Sequence, residues 1–410
     1  MFWKKKDKRT PVVEHSSLRG RVFLDYVSTT PVVPEVVEKM REVERELWAN
    51  PSALYGEAIS AKEKLVEARQ SIANILGCQK NDIVFTSGGT ESNNLALLGI
   101  FEANRTKDFT PHIVTTKIEH SSILETCKEI ERRGGQVTYL PVSNEGIVSI
   151  KDVKSAIKEN TVLVSVMYAN NEIGTIQPIK EIGRVIKEYR QKKAIHPVYG
   201  NSLPYFHTDA CQAVLYEDLN LQKLGVDMMT LDGIKMYGPR GAGILYVKSG
   251  TNISPVLFGG GQERGLRSGT ENLPAAVGLA CAMELAEKMK ERESVRLTEI
   301  RDYAILKILE TFPEASLNGS GKLRLPNNIN ICFPGLDAEF AVISLDVLGI
   351  ACSYSSSCQT LKEDSSSYVI SALGKADCNK SSLRFTLGRE STKEDIDNLV
   401  LALQKIIKQN

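Results

Sequence analysis

Lys235 sits in the string TLDGIKMYGPRGAG, and Asp209 sits 26 residues upstream in FHTDACQA. Each follows an apolar run. A lysine amine can condense with an aldehyde, and a carboxylate can keep a pyridine nitrogen protonated so that the ring accepts electrons. Together they supply the chemistry of a pyridoxal 5'-phosphate (PLP) site. Either residue alone says little, because Asp and Lys are ordinary solvated surface residues. Three further pieces lie around the pair in workable order.

The first is FTSGGTESNN, residues 85–94. Residues 82–86 read as a short buried strand, Gly88 and Gly89 as a turn, and the stretch carrying Leu95 and Leu98 as a helix. A helix start offers free backbone N–H groups and a positive dipole end, which makes Gly89 and Thr90 a phosphate cradle. The string also reads as a plain βα turn with Thr90 as N-cap. It is not a P-loop, since no Gly-Lys-Ser/Thr follows. The second piece is His120 in TTKIEHSSILETC, at the next strand-to-helix turn. An imidazole there can lie on a flat ring and move protons, or simply bond the backbone at a helix start. The third is Cys358, in a run of serines without apolar neighbours (IACSYSSSCQTLKEDSSSY), where a thiol is exposed rather than part of a core. Without the other pieces it would read as an inert loop thiol.

The elements that must position these residues alternate. Apolar strand candidates fall at 82–86, 112–116, 136–140, 161–168, 205–209, 227–231 and 243–247, with helices between several of them. Residues 180–190 place Ile182, Val185, Ile186 and Tyr189 on one helical face. Alternating βα units predict a mostly parallel sheet covered on both sides, with ligands at the carboxyl ends of its strands. Gly89, His120, Asn171, Asp209 and Lys235 all fall at such ends. A long helix is expected to run to about residue 312, and residues 325–410 read as an α+β piece. Its last helix opens with a capping box from Ser391 to Glu394. The Ser-rich stretch 353–367 reads as a mobile loop, and 196–205 as a surface loop.

Composition bounds the rest. The chain has 410 residues, 25% charged and 42% hydrophobic, with net charge +1. That size calls for two subdomains, and the neutral balance gives no case for nucleic acid. The basic cluster Lys4, Lys5, Lys6, Lys8 and Arg9 has no apolar h-region after it, so it reads as a disordered tail rather than a signal peptide. No apolar run reaches the roughly 20 residues a membrane helix needs. The eight cysteines are scattered, with no C-x-x-C and no zinc spacing, so reduced thiols in a cytoplasmic protein and no metal site are expected.

From about Val22 to the C-terminus the motifs FLDYVSTTP, SGGTESNN, IEHSSILETC, VMYANNEIGTIQP, HTDACQA, KMYGPRGAG, GGGQERGLRSGTEN and SLRFTLGRES resemble those of cysteine desulfurases of the NifS/IscS type. These belong to the class V aminotransferase family of fold-type I PLP enzymes. The resemblance implies an α/β fold: a large PLP-binding domain at 34–274 with a mostly parallel seven-stranded sheet, and a smaller α+β domain from 1–33 and 275–410 with a mobile catalytic loop at about 352–367. Lys235 matches the lysine that binds PLP covalently and moves the substrate α-proton. Asp209 matches the partner of the ring nitrogen, His120 the stacking histidine, and Gln212 and Asn171 groups around the ring hydroxyl and substrate. Gly89 and Thr90 match phosphate binders, and Thr270 a threonine reaching the phosphate of the other subunit, hence a homodimer. Arg384 matches the clamp on the substrate carboxylate. Cys358 matches the nucleophile that takes sulfur from L-cysteine, leaving L-alanine and a persulfide for an acceptor protein in iron–sulfur cluster, thio-cofactor or tRNA synthesis.

The chain also departs from the pattern. Before the lysine, where the family has Ser-x-His near the phosphate, stand Asp232 and Ile234; Ser355 and Ser357 replace Gly and Ala, and Val27-Ser28 a small pair. A carboxylate beside a phosphate is unfavourable unless it points away. Weaker phosphate anchoring is the expectation. The competing readings are a selenocysteine lyase, an aminotransferase of the same fold, and a PLP-fold scaffold with weak activity.

Overall fold

The computed structural model of the chain describes residues 20–192, 203–354 and 366–407. Strand β1 (Val22–Phe23) opens it. The strands β2 (Ile83–Thr86), β3 (His112–Thr116), β4 (Gln136–Leu140), β5 (Thr161–Ser165), β6 (Tyr205–Asp209), β7 (Met228–Asp232) and β8 (Gly243–Val247) form one sheet in the order β2-β8-β7-β6-β5-β3-β4. Neighbours from β7 through β4 pair in parallel, and β8 runs antiparallel to both β7 and β2. The carboxyl end of β2 therefore faces the same way as those of β3, β5, β6 and β7.

Both faces of the sheet are buried, and the pleat divides each strand between two cores. Ile83, Val114, Val164, Phe206, Met229 and Ile244 enter one core, beside the helices Pro34–Glu46, Gly56–Leu76 and Ile179–Lys192. Their neighbours Val84, Ile113, Leu163, Tyr205, Met228 and Leu245 enter the other, beneath helices Gly89–Asn104 and Ser121–Arg132. The helix Leu273–Thr311 is capped by the Asn272 side chain. Its first half (Leu273 to Met283) packs in the first core, and its second half (Leu297 to Ile308) in a third core.

That third core lies under β9 (Ser316–Leu317), β10 (Asn328–Cys332) and β12 (Ser382–Thr386), an antiparallel sheet in the order β12-β10-β9. The short β11 (Ile350–Ala351) pairs in parallel with β1, so the N-terminal segment packs on this C-terminal part.

Several expectations need correction. Asp82 belongs to a short turn and caps it, accepting the Gln79 N–H at 3.2 Å, so β2 starts at Ile83. Residues 166–168 leave the sheet after β5, and β7 extends to Asp232. The last helix is capped one residue later than predicted: Thr392 and Asp395 bond each other's backbone N–H groups, while Ser391 serves Gly388. Of the predicted surface loop 196–205, residues 196–202 lie outside the described residues, and Leu203 and Tyr205 are buried. The expectation of reduced thiols fails at Cys332 and Cys378, which form a disulfide with Cα atoms 5.4 Å apart. Pairing of Cys332 with Ser382 across β10 and β12 brings the turn holding Cys378 alongside, a long-range contact that cysteine spacing does not reveal. Among the described residues no helix is long and apolar enough to cross a membrane.

Candidate active site

The carboxyl ends of β2, β3, β5, β6 and β7 surround a cleft of about 210 Å³. Its walls include Lys235, Asp209, His120, Asn171, Gln212 and Arg384. Gly89 and Thr90 line the same cleft at the head of helix Gly89–Asn104. Gly89, His120, Asn171, Asp209 and Lys235 thus share the cleft, and Arg384 enters it from β12 of the C-terminal part.

Lys235 closes a short turn after β7. Its Nζ donates to the carbonyls of Val27 and Ser28, both at 2.8 Å. Burial lowers its pKa, with Asp232 opposing the shift. The amine is therefore drawn toward the neutral form that condensation with a carbonyl needs.

Asp209 ends β6. Asn93 Nδ2 donates to its Oδ2 at 2.7 Å and the Cys211 N–H to its Oδ1 at 3.0 Å. Asn93 also donates to Ser122 Oγ at 2.9 Å, so one buried amide ties the carboxylate to the helix that follows His120. Sequence reasoning missed Asn93. Its position three residues after Thr90, on the same helical face, was the available signal.

His120 caps helix Ser121–Arg132: its Nδ1 accepts the Ser122 N–H at 3.2 Å and lies 2.8 Å from Ser122 Oγ. The plain helix-start role is present, and the ring still lines the cleft. Just before it, Glu119 is fully buried. Its Oε1 accepts from the Thr116 hydroxyl at 2.8 Å and the Met167 N–H at 3.0 Å, and burial pushes its carboxyl up to about 8.

Arg384, on β12, is 1% exposed. One terminal nitrogen donates to the Asn171 carbonyl at 3.1 Å, the other to Asp25 Oδ1 at 3.0 Å and Ser28 Oγ at 3.1 Å. Its buried Nε has no partner among the described residues. Asp25 is a second residue the sequence reading did not single out. Gln212 Nε2 donates to the Val27 carbonyl at 3.4 Å.

The glycine turn differs from its prediction in one respect. Gly88, at φ +149°, takes the N-cap position and Thr90 lies inside the helix. A Cβ on Gly243 would stand 2.5 Å from Gly88 Cα, so β8 abuts the turn too closely for any side chain there. The Asp232 carboxylate does not point away. Its Oδ2 accepts the Gly89 N–H at 2.8 Å and its Oδ1 the Ile234 N–H at 3.1 Å.

One predicted residue, Thr270, is not in this cleft. Thr270 lines a neighbouring pocket with Gly243, Thr86 and Glu263. Cys358 lies outside the described residues. The expected loop of 352–367 is fixed at both described ends: Ser353 and Arg384 exchange backbone bonds, and the Ser367 hydroxyl donates to Glu172 Oε2 at 2.6 Å.

These residues fit PLP. A poised amine, a fixed carboxylate, an imidazole wall and a helix start are the groups its aldehyde, pyridine nitrogen, ring and phosphate call for. The phosphate end is the weaker match, because Asp232 holds one N–H.

Comparison with known proteins agrees. Residues 22–399 match the family described as Aminotransferase class-V. The chain is 44% identical over 394 residues to "Cysteine desulfurase IscS" of Clostridium botulinum (strain Hall), covering 96% of each chain. It is 41% identical over 393 residues to the protein of the same name from Dictyoglomus turgidum, again covering 96% of each. Among solved structures, a "NIFS-like protein" superposes with TM-score 0.85 at 32% identity, covering 95% of this chain and 100% of its own. "SspA in complex with cysteine" gives TM-score 0.76 at 34% identity, covering 89% and 98%. By this match and by its fold, the chain belongs to the class-V aminotransferase family, whose members depend on PLP.

Proposed function

We propose that the protein is a PLP-dependent cysteine desulfurase, converting L-cysteine to L-alanine and leaving a persulfide on Cys358. The observation that carries this reading is the meeting of Lys235, Asp209 and Arg384 in one cleft. The names of its relatives and the cysteine-bound SspA support L-cysteine as substrate. When bound, PLP withdraws electrons from the substrate carbons. Lys235 would hold the cofactor and move the α-proton, Asp209 would keep the pyridine nitrogen protonated, and His120 would cover the ring. Gln212 and Asn171 would bond the ring hydroxyl and substrate, and the helix start at Gly89 and Thr90, whose Gly89 N–H Asp232 already takes, would face the phosphate. Arg384 takes the substrate carboxylate through its planar guanidinium.

The Cys358 thiolate attacks the substrate sulfur. A sulfur–sulfur bond forms, the carbon–sulfur bond breaks with its electron pair left on carbon, and a proton completes alanine. Cys352, the next thiol along the chain, is half-buried near Arg384 and Asp25, and burial raises its pKa well above the usual thiol value. It is a poor thiolate.

The large domain of this reading is 34–274, and the remainder forms the small domain that brings Arg384 and Cys358. Exposed Trp48, Leu54, Tyr55 and Phe258 give apolar surface for a second copy to cover, which supports a homodimer in which Thr270 reaches the partner's phosphate. The persulfide sulfur then passes to an acceptor protein in the cytoplasm, for iron–sulfur cluster, thio-cofactor or tRNA synthesis.

The test is to incubate the PLP-loaded protein with L-cysteine, quantify alanine, and locate added sulfur by mass spectrometry. Stoichiometric alanine with sulfur on Cys358 is expected. Bound PLP without alanine release would leave a scaffold, and a much faster reaction with selenocysteine would make it a lyase.

A further inference from the structure

The head of helix Gly89–Asn104 already holds an anion. The Asp232 carboxylate accepts the Gly89 N–H at 2.8 Å and, through its other oxygen, the Ile234 N–H at 3.1 Å. The fit is close on every side. A Cβ on Gly88 would stand 3.2 Å from Asp232 Oδ2, and one on Gly89 3.3 Å from the same oxygen and 3.0 Å from Cys211 Sγ. Asp232 is the last residue of β7, three residues before Lys235 and opposite the end of β2 across β8. Its backbone is thus fixed by the sheet, and the carboxylate stays in the cleft wall.

A helix start carries a partial positive charge and a few free N–H groups, and both are what a phosphate uses. A carboxylate on the same N–H takes one donor away and cancels part of the dipole's attraction. It also adds like-charge repulsion, little screened at a half-buried position.

We propose that Asp232 is an internal occupant of the phosphate seat and determines cofactor specificity: it lowers the contribution of the phosphate, so that this cleft separates PLP poorly from unphosphorylated pyridoxal. The inference rests on the PLP reading of the cleft. Retention then leans on the ring end, on the Lys235 linkage and on the Asp209 bond, neither of which touches the phosphate. Burial raises the Asp232 carboxyl above its usual range, so the carboxylate is held there at a cost in hydration that an arriving anion adds to. The groups facing it are Lys235, which lowers that value, and Asp209, which raises it.

The test is a titration of the apoprotein with PLP and with pyridoxal, read by the visible absorbance of bound cofactor, for wild type, Asp232→Ser and Asp232→Asn. Asn keeps the shape and an acceptor oxygen without the charge, and Ser frees the seat while still capping Ile234. Thermal midpoints confirm that each variant folds. The expected result is a small preference for PLP over pyridoxal in wild type, rising at least tenfold in both variants. Added inorganic phosphate should compete with PLP in the variants and much less in wild type. A preference unchanged or reduced in both folded variants overturns the proposal, as does a strong preference already present in wild type. If no protein of the three takes up either cofactor, the PLP reading of the cleft fails and the inference falls with it.

Discussion

Asn93 donates to Asp209 at 2.7 Å and is itself buried, so the carboxylate at the end of β6 is aimed by a residue of helix Gly89–Asn104. Two walls of the cleft are thereby mechanically joined. Asn93→Ala leaves one carboxylate oxygen of Asp209 without its partner. Bonds to charged groups contribute about 1.5–3 kcal/mol, so PLP affinity should fall roughly ten- to hundredfold. Absorbance titration of the apoprotein checks this, and an affinity within twofold of wild type would show that Asp209 is held by other means.

Lys235→Ala should remove covalent cofactor attachment. After borohydride treatment, wild type should carry the cofactor mass on the peptide containing Lys235, and the variant should carry none and release no alanine. Wild-type turnover by the variant would move the site elsewhere.

Cys358→Ser should keep PLP and lose persulfide. Peptide mapping after exposure to cysteine should find no added sulfur in the variant. Sulfur on Cys352 instead would mean that this half-buried thiol becomes reachable during turnover.

Glu119 yields a pH prediction. Its carboxyl is pushed up from 4.5 to about 8, burial being the main cause. Between those values the folded chain holds a proton that the unfolded chain has released, so stability falls as pH rises through this window. Glu119→Gln has no such proton. The stability of the variant relative to wild type should therefore rise from pH 5 to pH 8, on the order of a few kcal/mol at about 1.4 kcal/mol per pH unit. Urea unfolding at both pH values measures it, and a difference independent of pH would show that Glu119 ionises normally.

Much of the sheet was legible because each central strand is a short apolar run and the strands recur between helical segments. The site followed from it: chemistry-bearing residues directly after those runs had to meet at one edge. Asp25 and the Cys332–Cys378 link were not legible, since each gains its meaning from a partner more than 40 residues away, and Asn93 offered only its helical spacing from Thr90. The orientation of Asp232 was hidden for a related reason. Sequence showed a carboxylate near the phosphate seat, but β8 and the Gly88–Gly89 turn decide that it faces inward.

The ion pair between Asp25 and Arg384 joins positions 359 residues apart, and the Lys235 amine rests on the carbonyls of Val27 and Ser28. This has a consequence for biosynthesis. Chains emerge from the ribosome N-terminus first, and all seven strands of the central sheet are complete by Val247. The sheet can assemble while the wall bearing Arg384 is still unmade. Until that last stretch arrives, Asp25 has no guanidinium to hold it and the N-terminal segment has no β11 to pair with. A nascent or C-terminally truncated chain would thus own a sheet and Lys235 but no closed cleft, which makes closure of the cleft an event of the finished polypeptide.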